Sequence, residues 1–362
     1  MKKLVLFFAL AFPSLINAQI IPFDSNRWTI EAKESSVDYY LGKQSLKLKG
    51  GIAYLNDVEF LNGIIEFDIA ISKVRGFAGG IFRMQDQSNY EDFYLRPHQS
   101  GNPDANQYTP VFNGISSWQL YHGEGYGAAV NYEFNKWMHV RIIVSGQLAE
   151  VYIMDMNRPV VIISDLKRKP ESGSIGIKVG DFSPAHFSNF QYEISNPIIQ
   201  RQNKSTVITE LPNSINVWKV SNPFPETLLQ DKLELVPGQI LNWKLLDCEA
   251  NGLANLARVV ENIKGNTVFA KVIIESKGDQ FKKLAFGFSD RIRVYLNNKL
   301  LYTGNNNYRS RDYRYLGTIG YFDEIILSLK KGRNVLLLAI SEDFGGWGVM
   351  AKFPDMVDIE IK

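Results

Sequence analysis

Residues 76–98, GFAGGIFRMQDQSNYEDFYLRPH, read as two strands joined by a polar turn. In the second run Asp92, Tyr94, Arg96 and His98 alternate with Phe93, Leu95 and Pro97. Successive side chains on a strand point to opposite faces of a sheet, so these two sets separate. One set is apolar and belongs in a core. The other is a row of acid, phenol, guanidinium and imidazole. In the first run Ile81 and Arg83 share a face and Phe82 takes the other. A sheet face of that composition is either solvated surface or a binding face for something rich in hydroxyls.

The segments on either side have the same character. In 63–71, GIIEFDIAI, Ile65, Phe67, Ile69 and Ile71 fall on one face, with Glu66 and Asp68 on the other. Residues 45–49, 137–144, 150–154, 160–163, 174–179 and 186–194 are further strand candidates, and Ser145-Gly146-Gln147 is a hairpin signal. Short strands between Gly, Asn and Pro turns, with no amphipathic helix, predict an antiparallel β-sandwich over residues 20–195. Residues 196–206 are polar and irregular and read as a linker. A second β-rich unit is expected over 207–362. There Val268, Ala270, Val272 and Ile274 point inward, 253–259 is a short turn or helix, and Asn297-Asn298 is a turn between strands. Residues 325–340 read as a hairpin, turning at Lys331-Gly332-Arg333-Asn334, into a buried strand. The fold class is all-β, two antiparallel β-sandwich (jelly-roll) domains in tandem.

The series GKQSLKL, FLNGIIEFDIAIS, FAGGIFRMQDQSNYEDFYLRPH, WMHVRIIVSGQLAEVYIMD and SGSIGIKVGDFSPAHFSNFQY resembles the concanavalin A-like, laminin-G-like jelly roll. It also resembles the related domain of secreted bacterial proteins described as 3-keto-disaccharide hydrolases. The resemblance covers most of the first unit. It implies two curved sheets, often with a glycan on the concave face. In the second unit, FGFSDRIRVYLNNKLLYTGNN followed by YLGTIGYFDEIILSLKKGRNVLLLAISEDFGGWGVMAKF resembles the galactose-binding-like jelly roll. That module accompanies many secreted glycosidases and esterases, sometimes as a sugar binder and often as support.

Two carboxyl groups flanking a scissile bond are the usual glycosidase requirement. Glu66 and Asp68 lie two residues apart on one strand face and resemble the start of the E-x-D-x-x-E strand of family-16 glycoside hydrolases. The third acid is missing, since that position is Ile71. The plainer reading pairs Glu66 and Asp68 with Arg83 or Arg96 across the sheet. Asp92, Glu91 and Glu124 are reserve acids. Residues 99–127 form a long loop carrying Tyr108, Trp118, Tyr121, His122 and Tyr126. Long ordered loops often carry function, and an indole suits the C–H face of a sugar. The plainer readings are that Trp118 packs under the loop and His122 is an exposed polar residue. His98 and His122 lack a recognised metal-ligand spacing. In the second unit, Tyr308 to Tyr315 interleaves bases with aromatics and is read as a surface Arg–Asp network over packed tyrosines. Trp347 within Gly345-Gly346-Trp347-Gly348 is read as an anchor into the core.

At the start, MKKLVLFFALAFPSLINA has a basic start, an apolar run too short to span a bilayer, and a small residue before Gln19. It reads as a signal peptide over 1–18, with no lipobox cysteine. The chain is therefore expected to be secreted or periplasmic. Its formal charge is +2, and removing Lys2 and Lys3 takes this to 2 − 2 = 0. That gives no electrostatic case for nucleic acid or an anionic membrane as partner. Cys248 is the only cysteine, so no internal disulfide forms. Asp247 and Glu249 beside it disfavour a thiolate, and it reads as a buried small apolar residue.

The reading favours an exported carbohydrate-binding or carbohydrate-processing accessory protein, with the glycan held on the concave face of the first sandwich. Arg83, Asp92, Tyr94, Arg96 and His98 would supply hydrogen bonds, with Trp118 and His122 from the loop. The alternatives are a glycoside hydrolase, with Glu66 and Asp68 as its catalytic pair, and a structural or protein-interaction module of a cell-surface complex. No cofactor is expected. Calcium is left open, because both jelly-roll types sometimes carry it, although no EF-hand motif is present.

Overall fold

The structure is a computed structural model and describes residues 20–199, 211–235, 242–260, 265–312 and 314–362. The segment read as a signal peptide, most of the 196–206 segment read as a linker, and Tyr313 lie outside the described residues. The fold is all-β: antiparallel strands enclose two separate hydrophobic cores, with no α-helix among the described residues.

The first sandwich holds β1 (Trp28–Tyr40), β2 (Lys43–Phe60), β3 (Gly63–Ala70), β4 (Ala78–Asp86), β5 (Asn89–Leu95), β6 (Asn106–Phe112), β7 (Ile115–Ser116), β8 (Met138–Ser145), β9 (Leu148–Ile153), β10 (Val161–Ile163), β11 (Gly173–Val179) and β12 (Ala185–Ile194). One edge of β2 pairs with β1 along its length. Its other edge pairs with β12 at Leu46–Leu48 and with β11 from Gly51 onward. The β1–β2 ribbon thus serves two layers, β12-β3-β8-β9-β10 and β11-β4-β5-β6-β7. Phe67 and Ile142 of one layer meet Gly80 of the other, where an added Cβ would lie 2.9 Å and 3.0 Å from them. That contact crosses the core. Ile65, Phe67, Ile69, Phe93 and Leu95 are fully buried in it, as their alternation requires.

Two features depart from the sequence reading. Residues 99–127 are not one long loop, because Asn106–Phe112 is a strand paired with β5 along Tyr90–Leu95. The long β1 went unanticipated. It lies at the edge of β2: Trp28 is buried and Ile30 and Ala32 pack against the core, but from Lys33 to Tyr39 it is exposed on both faces and carries no apolar alternation.

The second sandwich holds β13 (Val217–Ser221), β14 (Trp243–Asp247), β15 (Leu253–Asn255), β16 (Thr267–Ser276), β17 (Gln280–Ser289), β18 (Arg291–Leu296), β19 (Lys299–Asn305), β20 (Asp323–Leu329), β21 (Gly332–Ser341), β22 (Gly348–Lys352) and β23 (Ile359–Ile361). One sheet runs β14-β13-β16-β21-β18-β19, with β23 on β16. The other runs β15-β22-β17-β20. Val268, Ala270, Val272 and Ile274 face the core between them. Asn297 and Asn298 both have positive φ, as the tight turn between β18 and β19 demands. The 325–340 hairpin is not a hairpin: β20 pairs with β17, whereas β21 pairs with β16 and β18. The turn carries the chain from one sheet to the other. Residues 253–259 are a short strand followed by one 3₁₀ turn.

The two sandwiches are joined by the segment after β7. Gln119 is fully buried. Its Nε2 donates to the Leu316 carbonyl (2.8 Å), its Oε1 accepts from Ser289 Oγ (3.1 Å), and its backbone N–H donates to the Gly345 carbonyl (2.8 Å). Gly345, at φ +102°, leaves room for that side chain: a Cβ there would sit 2.5 Å from Gln119 Cδ. Leu120 and Tyr121 pack with Leu253, Ile319 and Met350. Ile115 belongs to the second core rather than the first. Buried Lys167 bonds Glu249 (2.7 Å), which also pairs with Arg258 (3.0 Å).

Candidate functional site

Strand register builds one face of the site. Across the outer face of the first sandwich, Lys178 on β11 lies beside Gly79 on β4, Gly79 beside Tyr94 on β5, and Tyr94 beside Gln107 on β6. Gly79 has no side chain, and a Cβ there would strike the Phe93 carbonyl oxygen at 2.0 Å. The gap lets Lys178 reach over β4 to Asp92, where Nζ meets Oδ2 at 2.7 Å. Asp92 is 1% exposed. Burial pushes its carboxyl up from the ordinary aspartate range while the Lys178 ammonium opposes that rise.

β5 ends at Leu95, and Pro97–Gln99 is a single 3₁₀ turn rather than a continuation of the strand. Proline opens that turn without losing a needed donor. Arg96 lies between strand and turn. It donates to the Tyr94 hydroxyl (3.1 Å), to the Asp104 carbonyl (3.2 Å) and to Gln107 Oε1, and its guanidinium lies 5.6 Å from the Trp118 ring centre. Gln107 in turn donates to the carbonyls of Trp118 (2.8 Å) and Tyr121 (2.6 Å). This chain of bonds fixes the Trp118 segment against the sheet. His98 sits edge-on to Phe77 at 5.4 Å, and burial pushes its imidazole pKa down.

These side chains form one wall of a cavity of about 690 Å³. The second sandwich supplies the other wall, from Tyr308, Leu316, Glu342, Asp343 and Phe344. Trp118 meets Phe344 edge-on across the junction, 5.7 Å between ring centres. Arg75 stacks on Phe182 at the rim, 4.4 Å from the ring centre. Glu342 lies just past the end of β21. Its Oε1 accepts from the Gly346 N–H (2.9 Å). Burial, with Asp290 adding to it, pushes its carboxyl up to about 8.

The structure therefore brings together Asp92, Tyr94, Arg96, His98 and Trp118. It places four other sequence candidates elsewhere. Arg83 is 1% exposed, sits in a bulge of β4 at φ +50°, and donates to the Leu61 carbonyl (2.8 Å), Asn62 Oδ1 (3.1 Å) and the Gly146 carbonyl (2.6 Å). The bulge breaks the alternation that put it on a face with Ile81, and it clamps two turns together. His122 is exposed at the sandwich junction, 3.4 Å from the Ile319 carbonyl, and does not line the cavity.

Glu66 and Asp68 lie on the outer face of the opposite layer and do not line the cavity. Their partners are not Arg83 or Arg96. Asp68 bonds His139 Nδ1 (2.7 Å), Lys43 (2.6 Å) and Asn189 (2.7 Å), while Glu66 bonds Arg141 and Gln191 (2.7 Å). His139 with Arg141 holds the Glu66 carboxyl at about 2, and Asp68 with Glu66 lifts His139 to about 9. Of the reserve acids, Glu91 faces the core, where it accepts from the Tyr108 hydroxyl (2.7 Å), and burial lifts it to about 7. Glu124 is exposed outside the cavity.

Sequence reasoning missed Lys178, Gln107 and Glu342. Lys178 and Gln107 lie on strands whose register no local pattern gives. Glu342 belongs to a wall that exists only after the two sandwiches dock. In the second sandwich, Trp347 is 1% exposed and donates to the Ile340 carbonyl (3.0 Å), so it anchors the core as read. Arg311 pairs with Asp323 (2.6 Å) and Arg314 with Asp312 (2.9 Å), the expected Arg–Asp network. No group of three or more His, Cys, Asp or Glu side chains suited to a metal occurs among the described residues. No helix among them is long and apolar enough to cross a membrane.

No family model matches the chain, and no curated protein matches it. Among solved structures, it is similar to the carbohydrate binding module CBM66 from Bacillus subtilis, at 18% identity over 46% of this chain and 95% of that one, with a TM-score of 0.36. It is also similar to a Bacillus subtilis protein with a galectin-like fold, at 11% identity over 49% of this chain and 98% of that one, TM-score 0.37. A third is the β-glucanase of Bacillus licheniformis, at 11% identity over 49% and 98% of the two chains, TM-score 0.36.

Proposed function

We propose that the cleft between the two sandwiches binds a saccharide, and that the chain is an exported carbohydrate-binding or carbohydrate-processing protein whose second sandwich is a galactose-binding-like jelly roll. The observation that carries this reading is the composition of the cleft. Trp118, Tyr94, Phe344, Tyr308 and Phe182 supply rings, while Asp92, Lys178, Arg96, His98 and Asp104 supply charged and hydrogen-bonding groups. Ring faces suit the C–H faces of pyranoses, and planar charged groups suit their hydroxyls. A volume of about 690 Å³ is in the range of small-ligand sites, about 300–1,000 Å³. A concavity that sets charged and hydrogen-bonding groups among rings also speaks against the scaffold reading, which calls for exposed apolar patches instead.

The test is calorimetric titration of the chain from Gln19 onward against a panel of neutral and acidic oligosaccharides. One class is expected to bind, and Trp118→Ala to weaken it about tenfold by removing the ring contact. Binding by no member of the panel, or unchanged binding by Trp118→Ala, would remove the cleft from consideration.

A further inference from the structure

Buried polar atoms nearly always have a partner, so those that lack one mark places where something else completes them. Three residues lining the cleft carry such an atom: Asp92 Oδ1, His98 Nδ1 and Glu342 Oε2. Two are carboxyl oxygens, and they come from opposite walls. Asp92 belongs to β5 of the first sandwich and Glu342 to the end of β21 in the second. Their settings differ. Asp92 has an ammonium 2.7 Å away that favours its ionised form. Glu342 has no cation bonded to it. Its neighbours are the Gly346 N–H, the Asp290 and Asp343 carboxyls, and Arg291, which is itself committed to Glu226 (2.6 Å) and Asp343.

We propose that the cleft hydrolyses a glycosidic bond of the saccharide it binds, with Glu342 as the acid and Asp92 as the base. This rests on the saccharide-binding reading above. An acid that holds its proton and a carboxylate that can accept one, set on opposite walls of one cavity, are the pair that acetal cleavage requires. The Glu342 carboxyl, held at about 8, keeps its proton at neutral pH. Asp92, raised by burial yet paired to Lys178, is a stronger base than an ordinary aspartate. In the reaction, water oxygen bonds to the anomeric carbon as that carbon's bond to the leaving oxygen breaks. Glu342 gives its proton to the leaving oxygen, which departs as a hydroxyl. Asp92 takes a proton from the attacking water. Proton exchange with solvent then restores both groups, so one water is consumed and nothing is oxidised or reduced. Acyl transfer fits less well, because no hydrogen bond joins Ser116, the serine of the cleft, to His98. The pair is also distinct from Glu66 and Asp68, which lie on the other side of the first sandwich in saturated ion pairs.

The experiment incubates the chain from Gln19 onward with disaccharides of varied linkage and with the matching 2,4-dinitrophenyl glycosides, and follows products by mass spectrometry and dinitrophenolate release. Glu342→Gln is expected to slow disaccharide cleavage about a hundred- to ten-thousandfold. It should slow the dinitrophenyl substrates far less, since their leaving group needs no proton. Asp92→Asn should slow both. If that variant does not fold because Lys178 is left unpaired, Asp92→Asn combined with Lys178→Met carries the same test. Activity surviving in both single variants overturns the assignment. A protein that binds a saccharide and leaves every linkage intact overturns hydrolysis and leaves the binding reading standing. Neither binding nor cleavage removes both.

Discussion

Replacing Gln119 by alanine tests whether one side chain couples the two sandwiches. Gln119 follows β7 of the first sandwich, is fully buried between the two, and bonds Leu316 and Ser289 of the second. Its loss leaves the half-buried Leu316 carbonyl and the fully buried Ser289 hydroxyl without that partner. Each such group costs about 1–3 kcal/mol. Ser289 Oγ has a second acceptor in Asp290 Oδ1 at 3.4 Å, so its share falls at the low end. The expected destabilisation is about 2–4 kcal/mol. The assay is equilibrium urea unfolding, read by tryptophan fluorescence and far-ultraviolet circular dichroism. Because the lost bonds lie in the joint, the variant should separate into two transitions more than the parent does. Gly345→Ala approaches the same joint from the other side, with a Cβ 2.5 Å from Gln119 Cδ and a φ of +102°. In the Gln119→Ala background that clash is gone, so the two losses should fall short of their sum by about 1 kcal/mol or more. A Gln119→Ala protein within about 0.5 kcal/mol of the parent, with the pair additive, would refute the reasoning.

The Glu66–Asp68–His139 cluster should shape stability against pH. His139 is lifted to about 9, so its contribution is full below its ordinary value of 6.5 and lost as pH rises through about 9. Glu66 is held at about 2, so its contribution is present above 4.5 and lost as pH falls towards 2. His139→Gln should flatten the decline in melting temperature between about pH 6.5 and 9.5, and a parent curve already flat across that window would count against the cluster. Arg83→Met should cost about 2–4 kcal/mol by freeing two turns, yet leave saccharide affinity unchanged. A fall in affinity with intact stability would return Arg83 to the binding face. Cys248 is half-buried, and burial pushes its thiol up to about 12. Iodoacetamide at pH 8 should label it slowly in the native chain and quickly in urea, and equal rates would refute its burial.

Much of this architecture can be read from side-chain alternation. Asp92, Tyr94 and Arg96 separate from Phe93 and Leu95 in the structure as they do in the sequence. Val268 to Ile274 turn inward for the same reason. Alternation fails where its physical basis fails. β1 is exposed on both faces from Lys33 to Tyr39, and its apolar period is confined to Trp28, Ile30 and Ala32. β6 contains Pro110, which argues against a strand unless the strand lies near an edge, and β6 has only the two-residue β7 beyond it. The bulge at Arg83 shifts the register and moves a guanidinium from the cleft to the turns. Sheet membership is a further blind spot. β20 and β21 are each strand-like and joined by a turn, but nothing local says that they belong to different sheets. The cleft is the largest omission. Asp92 and Glu342 lie far apart in sequence, and only the docking of two folded units makes them face one cavity.

Ile115 carries a different consequence. This side chain is encoded among the strands of the first sandwich and packs in the core of the second. Synthesis delivers it early, before most of the core it fills has been made. The second core is thus completed by a side chain that the first sandwich supplies. Recombination that exchanged the first sandwich for another of the same shape would remove an apolar plug along with it. The second sandwich would keep its own sequence and still fold around a vacancy.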